Sequence, residues 1–196
     1  PTSSRALAFL VPFAMVGIFM RIFTDTNTAF LTMGSTIFIS SLALVDPFEF
    51  IIVNFSSGVA AIYALHDLQQ RSQLFQTAVI ATAVSVLTAM AFDFAQGMEI
   101  KSLDNMLYVY LFINGIFLLF SYPLLYLVEK LFGFVSSVTL IELSNINNPL
   151  LRRLSKEAAG TFNHSMQVAN LAADAASKIG AKVLLVRTGA MYHDIA

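Results

Sequence analysis

FQTAVIATAVSVLTAMAFDFA, residues 75–95, carries a single charged side chain, Asp93, in an otherwise apolar or small-polar run. At about 1.5 Å of rise per residue, a helix of about 20 residues crosses the roughly 30 Å hydrocarbon core of a bilayer. Four other stretches meet the same test, at 6–23, 28–46, 47–65 and 105–128. The predicted fold is therefore all-α, with about five membrane-crossing helices in residues 1–128. Breaks between the runs have local causes. Thr24 to Thr28 is a polar turn cluster. Asp46-Pro47 pairs a capping residue with a helix-starting proline, and Glu49 adds an anion to that first turn. Residues 66–73 and 96–104 are polar loops.

Composition agrees. The 196 residues are 57% hydrophobic and 12% charged, against about 45–50% and about 25% in an average soluble domain. So few charges cannot cover a water-facing surface, and a disordered chain is excluded for the same reason. The lipid bilayer is the solvent that such a chain requires. Cysteine is absent, which removes disulfides, thiolate metal sites and cysteine catalysis. A net charge of −1 argues against a general binder of nucleic-acid polymers.

The charges divide unevenly along the chain. Residues 1–128 carry a net of −3 and residues 129–196 a net of +2. The reading is a transmembrane module over 1–128 followed by a cytosolic module over 129–196. With the second module in the cytosol, Arg21, Arg71, Lys130, Arg152 and Arg153 fall inside and only Arg5 and Lys101 outside, as the positive-inside rule asks. Tyr108, Tyr110, Tyr122 and Tyr126 sit near the ends of the last span, where amphipathic rings favour the interface. The chain starts at Pro1 and stops inside an apolar helical pattern, and is expected to be an internal piece of a larger protein.

Polar groups within spans can mark a transport path. Asp93, Asn54, Ser56, Ser57 and Asn114 are the candidates, with hydrogen bonding between helices as the other reading. No inverted repeat or broken helix pair accompanies them. The dipeptide His66-Asp67 stands among polar residues with no partner histidine nearby and reads as a solvated loop.

From Glu129 the helices become shorter and amphipathic. Asn148-Pro149 should start one over Leu150 to Ala158, whose Arg152, Arg153 and Lys156 form a basic cluster. That cluster is a solvated face, an attraction to anionic lipid, or a contact for an anionic substrate. Thr161 is the expected cap of the next helix, from about Phe162 to Lys178, with Gly180 beyond its end. His164, Val168, Leu171 and Ala175 share one face of it, which predicts an inward His164. In a last helix Val186, Ala190 and His193 line the predicted inner face, and Asp194 follows. Two histidines and an aspartate on neighbouring helices suit a metal such as Mn, Fe or Zn and a hydrolytic role. Hydrogen-bonded core histidines fit the same spacing.

The words in this region go further. LIELSN, NPLLRRL, EAAGTFNHSMQVANLA and GAMYHDI follow one another between Leu140 and Ile195, after FLVPFAM, DPFEF and PLLYLVEKLFG in the membrane half. In order and spacing they resemble the bacterial seven-transmembrane receptors with an intracellular HD hydrolase domain. The resemblance implies a multi-pass protein of the bacterial cytoplasmic membrane. An extracytoplasmic sensor, membrane helices and a cytosolic α-helical HD domain would follow in order, the last beginning here. It implies a cyclic dinucleotide phosphodiesterase that converts cyclic di-AMP to pApA with two divalent transition metal ions, Mn or Fe. Carried over, His164 corresponds to the first metal-binding histidine, and His193 and Asp194 to the HD dipeptide. Asp194 would bridge the ions and each histidine would bind one. His193 and Asp194 are thus the expected catalytic pair, and no substrate-binding residue is assigned.

This sequence departs from the family pattern PGTYHHS, with Ala159 for the proline and Asn163 for the first histidine of the pair. Neither change removes an assigned ligand. Three ligands are too few for a closed two-metal centre, so the 196 residues alone are expected to be inactive, with the remaining ligands downstream. A different class of reading is a sensory membrane module whose HD domain is degenerate and only transmits. Transport by residues 1–128 is a third. A homo-oligomer is compatible with all of them.

Overall fold

A computed structural model describes residues 7–65, 72–97 and 105–195, and every element in them is helical. The chain separates into two compact units, Pro1–Phe134 and Val135–Ala196. That division falls later than the expected 128/129 boundary because the last helix of the first unit continues to Phe132. Arg5, Arg71, Lys101 and the dipeptide His66-Asp67 lie outside the described residues.

The first unit opens with a 3-10 turn, Ala8–Leu10, followed by α1 (Phe13–Phe23), α2 (Thr26–Ser41), α3 (Pro47–Ala64), α4 (Gln73–Ala95), α5 (Asn105–Leu119) and α6 (Ser121–Phe132). Among the described residues three of the five expected stretches are long and apolar enough to cross a membrane: Pro47–Ala64, Gln73–Ala95 and Asn105–Phe132. Only 28% of the Gln73–Ala95 window is buried, so most of that helix presents apolar surface to its solvent. The expected 6–23 helix is interrupted before Phe13, where Pro12 has no N–H to continue a ladder. The expected 28–46 helix stops at Ser41, whose hydroxyl donates to the Phe38 carbonyl at 2.7 Å. The 105–128 helix breaks at Phe120. Pro123 accounts for that break, because it cannot donate to the Leu119 carbonyl and its ring crowds it.

Capping follows the sequence in part. Asp25 accepts from the Asn27 and Thr28 amides at 2.9 and 3.1 Å and from the Thr28 hydroxyl at 2.6 Å. Those Thr28 bonds favour the ionised form and hold the carboxyl below the usual range. Asp46 occupies the cap position of α3 but makes no side-chain cap, while Pro47 starts the helix and Glu49 sits in its first turn.

The core of this unit gathers Phe9, Phe13, Met33, Ile37, Phe50, Val53, Ile62 and Leu111. Phe50 meets Phe9 and Phe13 edge-on, with ring centroids 5.7 and 5.3 Å apart. Several polar groups inside the helices are hydrogen-bonded to protein, whereas the buried Ser121 hydroxyl of α6 is not. Asn54 donates to its own helix at Phe50, Ser57 crosses to the Ala81 carbonyl at 3.0 Å, and Tyr108 donates to Asp93 at 2.6 Å. Asn114 donates to the Phe9 and Val11 carbonyls at 2.8 and 3.0 Å. It thereby satisfies backbone that the Pro12 break leaves without helical partners. Asn114→Leu is therefore expected to lower the stability of the detergent-solubilised protein by about 1–2 kcal/mol. Thermal unfolding of the variant beside Asn114→Gln checks this, and equal loss in both would remove the amide's role.

The second unit contains α7 (Ser137–Leu143), α8 (Pro149–Glu157), α9 (Ala159–Lys178) and α10 (Val183–Tyr192). Ser136 caps α7 by accepting from the Thr139 amide at 3.2 Å. Asn148 caps α8 through the Leu150 amide at 3.1 Å, with Pro149 in the first position. α9 starts two residues before the expected cap, so Thr161 lies in its first turn. The Phe162 amide already donates to the Ala158 carbonyl at 3.0 Å. Gly180, at φ +68°, takes the chain out of α9. Leu151, Ala169 and Met191 form the centre, with Phe162, Met166, Tyr192 and Ile195 packed around them.

Candidate metal centre

The buried side of α9 is made by Ser165, Ala169 and Ala176, with Phe162 and Met166 half-buried beside them. These positions recur at three- and four-residue spacing, as a packed face must. On the expected face His164, Leu171 and Ala175 are instead exposed, Leu171 at 70%, and Val168 is half-buried. Alanines hold the inner face because small side chains let α10 approach closely, and the bulkier Leu171 is the misleading signal. On α10 the same correction applies. Thr188 and Met191 are buried, whereas Val186 and Ala190 are half-buried and His193 is exposed.

His164 and His193 therefore both stand at the surface. The packing of α9 on α10 brings them together, with ring centroids 5.7 Å apart and planes inclined by 58°. His193 Nδ1 is 2.7 Å from the Ala190 carbonyl oxygen. A carbonyl only accepts, so Nδ1 carries a proton, and in the neutral imidazole this leaves the lone pair on Nε2. This is how a second partner usually prepares a metal-binding imidazole. Core histidines would be buried and enclosed by their hydrogen bonds. The exposed, paired arrangement fits the donor chemistry of a divalent transition metal, to which the two rings could offer nitrogen donors.

Asp194 follows His193 and is also exposed. Among the described residues no group of three or more His, Asp or Glu side chains converges as a metal site. The structure thus joins the two histidines and does not bring Asp194 into one cluster with them.

Two side chains that sequence reasoning missed anchor α10. Tyr192 donates to the Leu143 carbonyl at 2.8 Å, and burial pushes its phenol above its ordinary pKa. The Thr188 hydroxyl lies 2.6 Å from the Ser144 hydroxyl. These partners are more than 40 residues apart in the chain, so no local spacing signals them. In the basic cluster, Arg153 is engaged by Glu157 at 2.9 Å, while Arg152 and Lys156 are exposed.

The first unit offers less. An apolar groove of about 540 Å³ between α4 and α5, lined by Ala78, Thr82, Val86, Phe112, Gly115 and Ile116, has no ionisable group. A smaller pocket of about 220 Å³ is lined by Asp46, Glu49 and Asp93, and Tyr108 already occupies an oxygen of Asp93.

Comparison with known proteins places these features. Residues 2–136 match the family described as 7TM receptor with intracellular HD hydrolase, and residues 161–196 match the HD domain. A cyclic-di-AMP phosphodiesterase PgpH of Listeria monocytogenes is 34% identical over 201 residues, covering 96% of this chain and 27% of the relative. Its Bacillus subtilis namesake is 30% identical over 200 residues, covering 96% and 28%. An uncharacterized protein of Synechocystis, slr0104, is 57% identical over 67 residues, covering 34% and 8%. The chain spans about a quarter of the length of the two PgpH relatives. No solved structure gives a significant match.

Proposed function

The chain belongs to the 7TM receptors with an intracellular HD hydrolase, and from that membership we propose that it is part of a membrane-anchored phosphodiesterase opening cyclic di-AMP to pApA. The relatives are named as cyclic-di-AMP phosphodiesterases, which supports the substrate class. The observation that carries the reading is the surface pair His164 and His193, with His193 Nδ1 held by Ala190.

In the parent protein His164, His193 and Asp194 would help to hold divalent transition-metal ions, Mn or Fe. Bound there, the ions supply Lewis-acid charge for the phosphoryl oxygens and an activated water. The chain's own part is orientation. The Ala190 carbonyl fixes the tautomer of His193, so that Nε2 presents its lone pair without a rearrangement on binding. Exposure of both rings leaves the open side accessible to a charged dinucleotide. A two-metal centre needs more donors than His164, His193 and Asp194, so residues 1–196 alone are not expected to turn over substrate.

The membrane unit anchors the hydrolase with its second unit on the cytoplasmic side of the inner membrane. The helices pass on the state of an extracytoplasmic sensor. Purified parent protein supplied with Mn is expected to convert cyclic di-AMP to pApA, followed by chromatography of the products. Cleavage of cyclic di-GMP in its place would overturn the substrate assignment, and cleavage of neither would overturn the reading.

A further inference from the structure

The helix that delivers His193 is tied to α7 by hydroxyl groups. Tyr192, the residue before His193, donates to the Leu143 carbonyl at 2.8 Å. Thr188, one turn earlier, lies 2.6 Å from the Ser144 hydroxyl and 3.3 Å from the Leu140 carbonyl. An α-helix leaves its last four carbonyls without helical acceptor roles. α7 has seven residues, Ser137–Leu143, and Leu140 and Leu143 fall in its last turn. Tyr192 thus completes the Leu143 carbonyl at the end of a helix more than 40 residues upstream. The Leu140 carbonyl already accepts the Ser144 amide at 2.9 Å. The Thr188 hydroxyl, 2.7 Å from the Leu184 carbonyl of its own helix, meets α7 through the Ser144 hydroxyl. Thr188 is 5% exposed. Its hydroxyl is therefore sheltered from solvent, and its removal costs the Ser144 hydroxyl a partner. At the other end of α7, Ser136 caps the helix and Val138 is fully buried.

The position of these bonds matters for the site. Ala190, whose carbonyl holds His193 Nδ1, lies midway between Thr188 and Tyr192. The two anchors flank the group that sets the tautomer and angle of the imidazole. A shift of the last turn of α10 against α7 therefore carries the Ala190 carbonyl and the His193 ring with it. α7 is also the first helix after α6, and residues 133–136 alone connect the two.

We propose that Thr188 and Tyr192 are positioning residues, whose hydroxyl clasp on α7 sets the His193 imidazole for metal. The proposal rests on the hydrolase reading. The clasp joins α10 to α7 through short bonds at Thr188 and Tyr192. When closed it keeps His193 ready for metal, and when opened it lets the end of α10 fray.

Full-length parent protein in lipid nanodiscs provides the test, with Thr188→Val, Tyr192→Phe and Thr188→Ser. Hydrogen exchange of the backbone from Gly189 to Ile195 is measured without metal, and Mn binding is titrated by the loss of the free-ion resonance signal. Thr188→Val and Tyr192→Phe are expected to speed exchange and to weaken Mn binding on the order of 10-fold, the lower end for loss of an orienting partner. Thr188→Ser, which keeps the hydroxyl, is expected to remain at the wild-type values in both. Unchanged exchange in the first two variants overturns the proposal, as does faster exchange with unaltered Mn affinity. Failure of Thr188→Ser to restore the wild-type values also overturns it. A wild type that binds no Mn overturns the hydrolase reading and the proposal together, whereas the other adverse results leave that reading standing.

Discussion

His193→Ala in the parent protein is expected to abolish hydrolysis of cyclic di-AMP, with a loss on the order of 10³-fold or more. A metal in such a site supplies several kcal/mol of charge stabilisation, and about 1.4 kcal/mol corresponds to each tenfold in rate. Losing about 4 kcal/mol therefore removes about three decades. The fold is expected to survive, because the His193 side chain is exposed and its bond goes to the carbonyl of its own helix. Helix content and thermal midpoint should match the wild type, while Mn binding falls with activity. His164→Ala is expected to behave alike, since its ring lies 5.7 Å from that of His193. Leu171→Ala, at an exposed position of the same helix as His164, serves as the control and should leave activity in place. Full activity in His193→Ala would move the chemistry to other residues.

Why the site was only partly legible follows from what sequence spacing records. Spacing of 3 and 4 tells which residues share a helix face, but not which face is buried. On α9 two faces satisfy the rule, one holding Val168 and Leu171 and the other Phe162, Met166 and a row of small residues. The structure buries Ser165, Ala169 and Ala176 because a close helix contact selects small residues. The histidines were therefore found by their words and misplaced by their periodicity. Their approach to each other, and the tie between Tyr192 and Leu143, depend on packing between segments distant in sequence.

The membrane half shows the same division. Uninterrupted apolar runs announce helices, since a backbone in hydrocarbon must satisfy its own hydrogen bonds. Prolines mark the interruptions. Pro12 and Pro123 lie inside runs that are apolar throughout, so a count of apolar residues alone does not register the breaks they impose. Asn114 shows what such counting omits, because the amide that repairs the first break comes from about 100 residues further on. Three of the five expected spans were thus readable among the described residues, while breaks and their compensation required three-dimensional neighbours.

The packing of α4 on α5 makes the second large prediction. Gly115→Ala is expected to destabilise the membrane unit by about 1–3 kcal/mol, the usual cost of overpacking. A Cβ on Gly115 would fall on the Thr82 hydroxyl oxygen and lie 2.7 Å from its Cγ2 and 3.1 Å from its Cβ. Thr82 cannot easily turn away. Its side chain is β-branched, with little freedom in a helix, and its hydroxyl donates to the Ala78 carbonyl at 2.7 Å. The conflict must be relieved by moving one helix from the other. In lipid that separation is costly, because close packing of small residues, rather than release of water, holds such helices together. Gly34→Ala is the matched control, since its new Cβ would meet only Phe55 at an ordinary 3.5 Å. It should be neutral or slightly stabilising, as loss of glycine's freedom in an unstrained helix usually is. Thr82→Ala combined with Gly115→Ala removes both methyl and hydroxyl from the contact and should recover most of the lost stability. Unfolding measured in lipid bicelles for the singles and the pair gives the coupling directly. Simple additivity of Thr82→Ala and Gly115→Ala would mean that the two side chains do not meet, and the α4–α5 contact would have to be redrawn.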